Sequence, residues 1–262
     1  MSPFFSHPRF VVFRFLCLFL LLALCLPISD SLPVAAEEVR VAVASNFLST
    51  FQSLAREFEK HTGHTVVISP GSSGKLYAQI THGAPFDIFF SADDQRPRLL
   101  EEEGLAVKGT RFPYAVGRLT LWSLAPDMLK DNGPDVLRQA AFSHLAIANP
   151  KTAPYGKAAE QVLQALGLWD TVQPKLVQGE NIGQTLQFVA SQNADLGFVA
   201  LSQILDSKME GKGSRWDAPS HLHVENRQGD RQPALSVNNI IQEAVLRIVV
   251  VASIAAKALL LE

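Results

Sequence analysis

Short apolar runs alternate with amphipathic stretches along most of this chain, and this alternation constrains its fold more than any other feature. The runs have the length of buried strands. The stretches between them carry apolar residues at the three- and four-residue spacing of a helix that is buried on one face, as at Phe51, Leu54, Ala55 and Phe58. A parallel sheet covered by helices on both faces has this order of elements, so the sequence predicts an α/β fold.

The predicted elements are too many and too evenly spaced for one simple open sheet. Strands are predicted at residues 39–44, 65–69, 87–90, 119–123, 145–148, 175–177 and 196–199, and helices at residues 48–61, 76–81, 95–103, 135–140, 156–166 and 183–191. Two lobes fit these lengths better, one at residues 37–112 and one at residues 113–223, with the chain crossing back towards the first near residues 205–223. Two lobes imply a cleft between them.

The first 36 residues resemble a signal peptide. Arg9 and Arg14 flank the start of an apolar run at residues 15–26, which is shorter than the roughly 20 apolar residues of a membrane span. Small residues follow at positions 34–36, so cleavage is predicted after Ala36. We therefore expect an exported protein that lies in the periplasm.

Both cysteines, Cys17 and Cys25, lie inside this segment, so the mature chain would hold no disulfide and no thiolate metal site. Acylation at Cys25 is an alternative, but Leu24 stands where a small residue is needed. The net charge of -2 predicts neither nucleic acid nor an anionic membrane surface as a partner.

Polar and glycine-rich segments stand where four predicted strands pass into helices. They are Ser45-Asn46, Gly71-Ser72-Ser73-Gly74, Pro154-Tyr155-Gly156 and Glu180-Asn181-Ile182-Gly183. The first turn of a helix has N–H groups without partners and a partial positive charge, so it can hold an oxyanion without lysine or arginine. Each segment taken alone is more typical of an ordinary helix cap than of an anion site. Their coincidence at strand ends favours an anion site.

This part of the sequence does not match either of two enzyme motifs that it partly resembles. The segment from Ser69 to Leu76 resembles a phosphate loop, but Ser69 replaces its first glycine and Leu76 its magnesium-binding hydroxyl. The spacing of a hydrolase nucleophile elbow is also missing. An α/β enzyme for an anionic metabolite remains the rival interpretation, although Ser73 has no identifiable base. We expect no catalysis.

Several segments together make the chain resemble the molybdate-binding proteins of ABC transporters. They are VAVASN at 41–46, GSSGKL at 71–76, GAPFDIFFSAD at 83–93, NPKTAPYG at 149–156, ENIG at 180–183 and GFVALSQ at 197–203. The resemblance implies a two-lobed periplasmic binding protein fold of type II. It implies binding of molybdate or tungstate and delivery to a membrane ABC permease, without a cofactor. We expect a monomer.

The resemblance also implies the binding residues. In the first lobe these would be Asn46, with Ser45 beside it, and Ser73. In the second lobe they would be Tyr155 and Ile182, the latter through its backbone N–H. Some family members have a binding tyrosine at the position of Ala200, which this chain lacks. The metal would be held only through the oxygens of the anion.

Uncharged donors suit a fully ionised tetrahedral anion, which presents only acceptors, whereas protonated phosphate would also need an acceptor for its O–H group. Such a lining admits molybdate, tungstate and sulfate, and cavity size must separate sulfate from the larger two. A binder of sulfate or another tetrahedral oxyanion is therefore an alternative.

The tail at residues 224–262 departs from the family pattern. It passes through Gly229-Asp-Arg-Gln-Pro233 into a mostly apolar stretch at residues 240–261. A reading-frame change would give such an ending, and so would a replacement core helix or, less readily, a membrane contact. A gene product that no longer folds is a further alternative. If the tail fails to pack, stability is expected to suffer more than ligand contacts.

Overall fold

The computed structural model describes residues 36–130, 133–139, 141–206 and 208–223, all of which belong to one compact unit. The predicted signal peptide, except Ala36, and the tail at residues 224–262 lie outside the described residues. Within the described ranges, no helix is both long enough and apolar enough to cross a membrane.

The first lobe contains a three-stranded parallel sheet in the order β2-β1-β3. Its strands are β1 (Glu38–Ala44), β2 (Thr65–Gly71) and β3 (Ile88–Phe90), and its helices are α1 (Leu48–Thr62), α2 (Ser73–Thr81) and α3 (Gln95–Glu102). Helix α1 buries its apolar face and ends at Gly63, whose φ of 75° is the left-handed conformation typical of a helix end. Each of these strands is therefore followed along the chain by a helix.

An aromatic cluster forms much of the first-lobe core. The rings of Phe51 and Phe90 lie 4.8 Å apart, and those of Phe47 and Tyr114 lie 4.7 Å apart, centroid to centroid. Tyr114 also meets Phe90 edge to face at 5.4 Å, a favourable geometry for two aromatic rings. Because Tyr114 belongs to the segment that leads to the second sheet, the cluster fixes the start of that segment to the first lobe.

The second lobe contains a five-stranded sheet in the order β6-β5-β7-β4-β8. Its strands are β4 (Leu119–Ser123), β5 (Leu145–Ala148), β6 (Leu176–Gly179), β7 (Leu196–Ala200) and β8 (Ser214–Asp217). Strand β5 is parallel to β6 and β7, whereas β4 is antiparallel to β7 and β8. The helices are α4 (Asp135–Gln139), α5 (Pro154–Ala165), α6 (Trp169–Val172), α7 (Ile182–Ala190) and α8 (Leu201–Ile204).

Both faces of the second sheet are covered. Leu121 pairs in register with Phe198, and both belong to the apolar cluster on one face, while Trp122 and Val199 belong to the cluster on the other. Strands β4, β5 and β7 are buried along their whole length, which is typical of a sheet between two helical layers.

The predicted α/β class is confirmed, and the predicted boundary between lobes falls in the segment between the two sheets. Two predicted helix starts are wrong, because α2 begins at Ser73 rather than residue 76 and α5 begins at Pro154 rather than residue 156. Proline fits the first helical position, where its missing N–H would have no partner. The strand predicted at residues 175–177 is β6, which spans Leu176–Gly179. The short elements α6, α8 and β8 were not predicted.

Candidate functional site

A small pocket lies between the two lobes and is lined by the ends of β1 and β2 and by residues that follow β3, β5 and β6 along the chain. All five residues predicted to bind the ligand line this pocket. The lining residues are Ala44, Ser45, Asn46, Gly71, Ser72, Ser73, Ala92, Ala153, Pro154, Tyr155 and Ile182. The structure thus brings together predicted binding residues that are up to 137 positions apart in the sequence, from Ser45 to Ile182.

Three helices begin at this pocket. Ser73 is the first residue of α2, Tyr155 the second of α5 and Ile182 the first of α7. Their first-turn N–H groups have no carbonyl one turn earlier to accept them, and each helix end carries about half a positive charge. Three such ends at one pocket favour an anionic guest.

The start of α7 leaves one N–H group for a guest. The Asn181 side chain caps this helix and accepts the N–H groups of Gly183 and Gln184 at 2.9 and 3.1 Å. The N–H of Ile182 has no acceptor among the described residues. That group is the one the resemblance assigns to the ligand.

The turn after β1 places both Ser45 and Asn46 in the pocket lining. The backbone N–H and the hydroxyl of Ser45 both donate to the Gly71 carbonyl, at 3.0 and 3.1 Å. The Ser45 hydroxyl would have to rotate before it could reach a guest. The Oδ1 atom of Asn46 is buried and without a hydrogen-bond partner among the described residues, and the Asn46 amide would donate to an anion only through its Nδ2 atom.

Two serines at the start of α2 face the pocket. Ser73 is fully buried, and its Oγ accepts the Ala92 N–H at 2.9 Å, which leaves the Ser73 O–H to donate. Ser72 is 4% exposed, and its Oγ has no partner within the described part of the chain. Sequence reasoning missed Ser72, although its place as the residue before a helix was the available signal.

The Tyr155 hydroxyl lies beside the Asn46 side chain. Burial raises the pKa of Tyr155 well above its ordinary value, and a hydrogen bond from Asn46 only partly offsets this rise. The phenol therefore stays protonated, and remains a donor, at any pH the protein would meet. Ala200, at the end of β7, is fully buried and offers no hydroxyl.

The pocket lining contains no charged side chain among the described residues. The nearest cation on α2, Lys75, forms an ion pair with Glu180 across the gap between lobes, outside the lining. No group of three histidine, cysteine, aspartate or glutamate side chains is placed to hold a metal ion in the described ranges. The lining also holds no histidine or carboxylate that could act as a base beside Ser73.

Several contacts join the two lobes around the pocket, so the structure is in a closed arrangement. The Gly74 N–H donates to the Thr152 carbonyl at 2.8 Å, and the Ser202 hydroxyl donates to the Asn46 carbonyl at 3.2 Å. A Cβ atom on Gly74 would lie 2.7 Å from the Thr152 oxygen. Glycine at this position therefore permits the close approach of the lobes.

The cavity inside the pocket is about 10 Å³. Pockets for organic ligands are usually about 300–1,000 Å³, so this one suits a compact ion. The described residues also line larger cavities, including one of about 300 Å³ against β3 and one of about 400 Å³ that Asn46, Gly117 and Tyr155 help to line. We favour the small pocket because three helix starts converge there and the unpartnered hydroxyl of Ser72 belongs to its lining.

Comparisons of the sequence with known proteins show the family of this chain. The profile of a family described as bacterial extracellular solute-binding protein matches residues 39–258. The molybdate-binding protein ModA of Azotobacter vinelandii is 54% identical over 194 residues, which are 74% of this chain and 76% of that protein. The molybdate-binding protein ModA of Rhodobacter capsulatus is 47% identical over 206 residues, or 79% of this chain and 80% of that protein.

A solved structure gives the same result. The chain matches the Azotobacter vinelandii periplasmic molybdate-binding protein with a TM-score of 0.68 and 41% identity, over 78% of this chain and 91% of that one. The predicted periplasmic binding protein fold is thereby confirmed, and so is the prediction of a binding protein rather than an enzyme. The chain belongs to the bacterial extracellular solute-binding proteins, in the group of the molybdate-binding proteins.

Proposed function

We propose that this chain binds molybdate or tungstate in the periplasm and delivers it to an ABC permease for import. The observation that carries the proposal is a closed, uncharged pocket at which three helices begin. The relatives named as molybdate-binding proteins support this choice of anion. The protein would act without a cofactor and as a monomer.

The donors in the pocket explain why a fully ionised anion is preferred. Molybdate carries two negative charges and only acceptor oxygens, so every oxygen can receive N–H or O–H groups. Phosphate near neutral pH retains a proton, and the described lining offers no carboxylate to accept it. Its O–H group would have to donate to an uncharged oxygen such as Asn46 Oδ1, a weaker partner than a carboxylate, which lowers phosphate affinity.

In this proposal, both lobes supply donors. Asn46, with Ser45, and Ser73 would bind from the first lobe, and Tyr155 and the Ile182 N–H would bind from the second. Each hydrogen bond to a charged group contributes about 1.5–3 kcal/mol, so closure around the anion stabilises the closed state. The metal would be held only through its oxygens.

A thermal-shift screen of the mature chain tests the proposal. A ligand that binds only the folded state raises the melting temperature, so molybdate and tungstate are expected to raise it strongly and sulfate and phosphate weakly. Isothermal titration with the same four anions then gives dissociation constants. An equal or larger response to sulfate would assign the protein to another oxyanion, and no response to any of them would refute the proposal.

Export can be tested separately. We propose that residues 1–36 are a signal peptide that is removed in the periplasm. Amino-terminal sequencing of the protein from a periplasmic extract is expected to begin at Glu37. A protein that retains residues 1–36, or that is found only in the cytoplasm, would contradict this.

A further inference from the structure

Gly117 lies directly against the hydroxyl of Tyr155. A Cβ atom built on Gly117 would be 2.3 Å from the Tyr155 Oη and 3.1 Å from its Cζ. Its backbone is outside the left-handed region, so the conformation alone would admit other residues. The tyrosine therefore sets the steric limit at this position.

The tyrosine ring is packed against the second lobe on one side and borders the cavity of about 400 Å³ on another. Tyr155 is 7% exposed and packs within the apolar core of the second lobe. Its helix also lies hard against the end of β5, since a Cβ on the next residue, Gly156, would be 2.2 Å from the Ala148 oxygen. Movement of the ring or of the start of α5 would disturb this packing.

The segment that carries Gly117 is held on both sides. Before it, the Tyr114 hydroxyl donates to the Ser91 carbonyl at 2.8 Å, and the Tyr114 ring is part of the first-lobe aromatic cluster. After it, the carbonyl of Arg118 accepts the Leu201 N–H at 2.9 Å. Only residues 115–117 lie between these two anchors, and they border the cavity of about 400 Å³, so the anchors resist a shift of the segment more than packing does.

We infer that Gly117 is a positioning residue for the Tyr155 hydroxyl. Without a side chain at residue 117, the hydroxyl occupies its place beside Asn46 at the edge of the pocket. A methyl group at residue 117 displaces the hydroxyl from that place and weakens anion binding, although Gly117 is not among the residues that line the pocket. The effect on binding rests on the proposed function, whereas the displacement itself does not.

A double-mutant cycle tests this inference by isothermal titration of the mature chain with molybdate. Tyr155→Phe and Gly117→Ala are each expected to weaken binding about tenfold, as the loss of one hydrogen bond to a charged group predicts. In the Tyr155→Phe background no hydroxyl remains to be displaced, so Gly117→Ala should add less than about a twofold loss. Val116→Ala, on the same segment and 68% exposed, is the control that should bind normally.

Two outcomes overturn the inference. Gly117→Ala could bind as well as the wild type, or it could weaken binding equally in both backgrounds, which would indicate backbone strain rather than displacement of the hydroxyl. If the wild type binds no tetrahedral oxyanion, the proposed function fails instead.

The displacement can also be measured without any anion. The chain has three tyrosines, so ring-labelled protein gives three resolvable Cζ NMR signals, assigned with the Phe variants. Gly117→Ala should shift the Tyr155 signal and leave that of Tyr77 in place. An unshifted Tyr155 signal would refute the inference whatever the ligand is.

Discussion

Replacement of Ser73 by alanine separates two roles of its hydroxyl. The Oγ atom of this fully buried residue accepts the Ala92 N–H at 2.9 Å. A hydrogen bond of this kind contributes about 0.5–1.5 kcal/mol to stability. Ser73→Ala should therefore lower the free energy of unfolding by about 1 kcal/mol even when no anion is added.

The effect on binding should be larger. If the Ser73 O–H donates to molybdate, its loss costs about 1.5–3 kcal/mol, which corresponds to a dissociation constant about 10 to 150 times higher. At a molybdate concentration about 100 times the wild-type dissociation constant, the anion raises the free energy of unfolding of the wild type by about 2.7 kcal/mol. For a variant that binds tenfold more weakly, the same concentration should add only about 1.4 kcal/mol.

Urea unfolding with and without molybdate measures both quantities, and isothermal titration gives the dissociation constant directly. Ser53→Ala is the matched control, because Ser53 is exposed on α1 and distant from the pocket lining. It should change neither stability nor affinity appreciably. A Ser73→Ala protein that is less stable but binds molybdate with unchanged affinity would show that Ser73 supports the fold and does not contact the anion.

Three further predictions follow from the same geometry. Gly74→Ala places a methyl group 2.7 Å from the Thr152 carbonyl oxygen and so opposes closure of the lobes. Molybdate binding should weaken about tenfold. In X-ray scattering, the radius of gyration should decrease less on ligand addition than it does for the wild type. Lys75→Gln breaks a half-exposed ion pair with Glu180, and such pairs contribute about 0–1 kcal/mol. The dissociation constant for molybdate should therefore change less than about fivefold. A hundredfold or greater loss of affinity would mean that a cation holds the anion. Burial raises the pKa of Tyr114 above its ordinary value of 10.0. The unfolded chain therefore loses the Tyr114 proton at a lower pH than the folded chain does. The free energy of unfolding should decline as the pH rises above 10. In urea unfolding between pH 8 and 11, Tyr114→Phe should show a shallower decline than the wild type, and an equal decline would contradict the assigned burial.

The strand and helix pattern was readable from the sequence because each signal is local. Strands β4 and β5 were predicted with the bounds that they have, since each is a short apolar run between polar turns. The starts of α2 and α5 were placed too late, because the serines and the proline in those junctions suit a loop as well as a helix start. The short elements α6, α8 and β8 depend on packing against the rest of the second lobe, and no local sequence pattern predicts them.

The sequence by itself determined that polar, uncharged groups would stand where strands pass into helices, and the resemblance selected Ser45, Asn46, Ser73, Tyr155 and Ile182 among them. Only the tertiary structure decided that these groups share one pocket and that the Ser45 donors are directed to Gly71. It also revealed Ser72 in the lining and Gly117 against the Tyr155 hydroxyl. The physical reason is that helix-start chemistry depends on neighbouring residues, whereas convergence and steric fit depend on how the two sheets pack against each other.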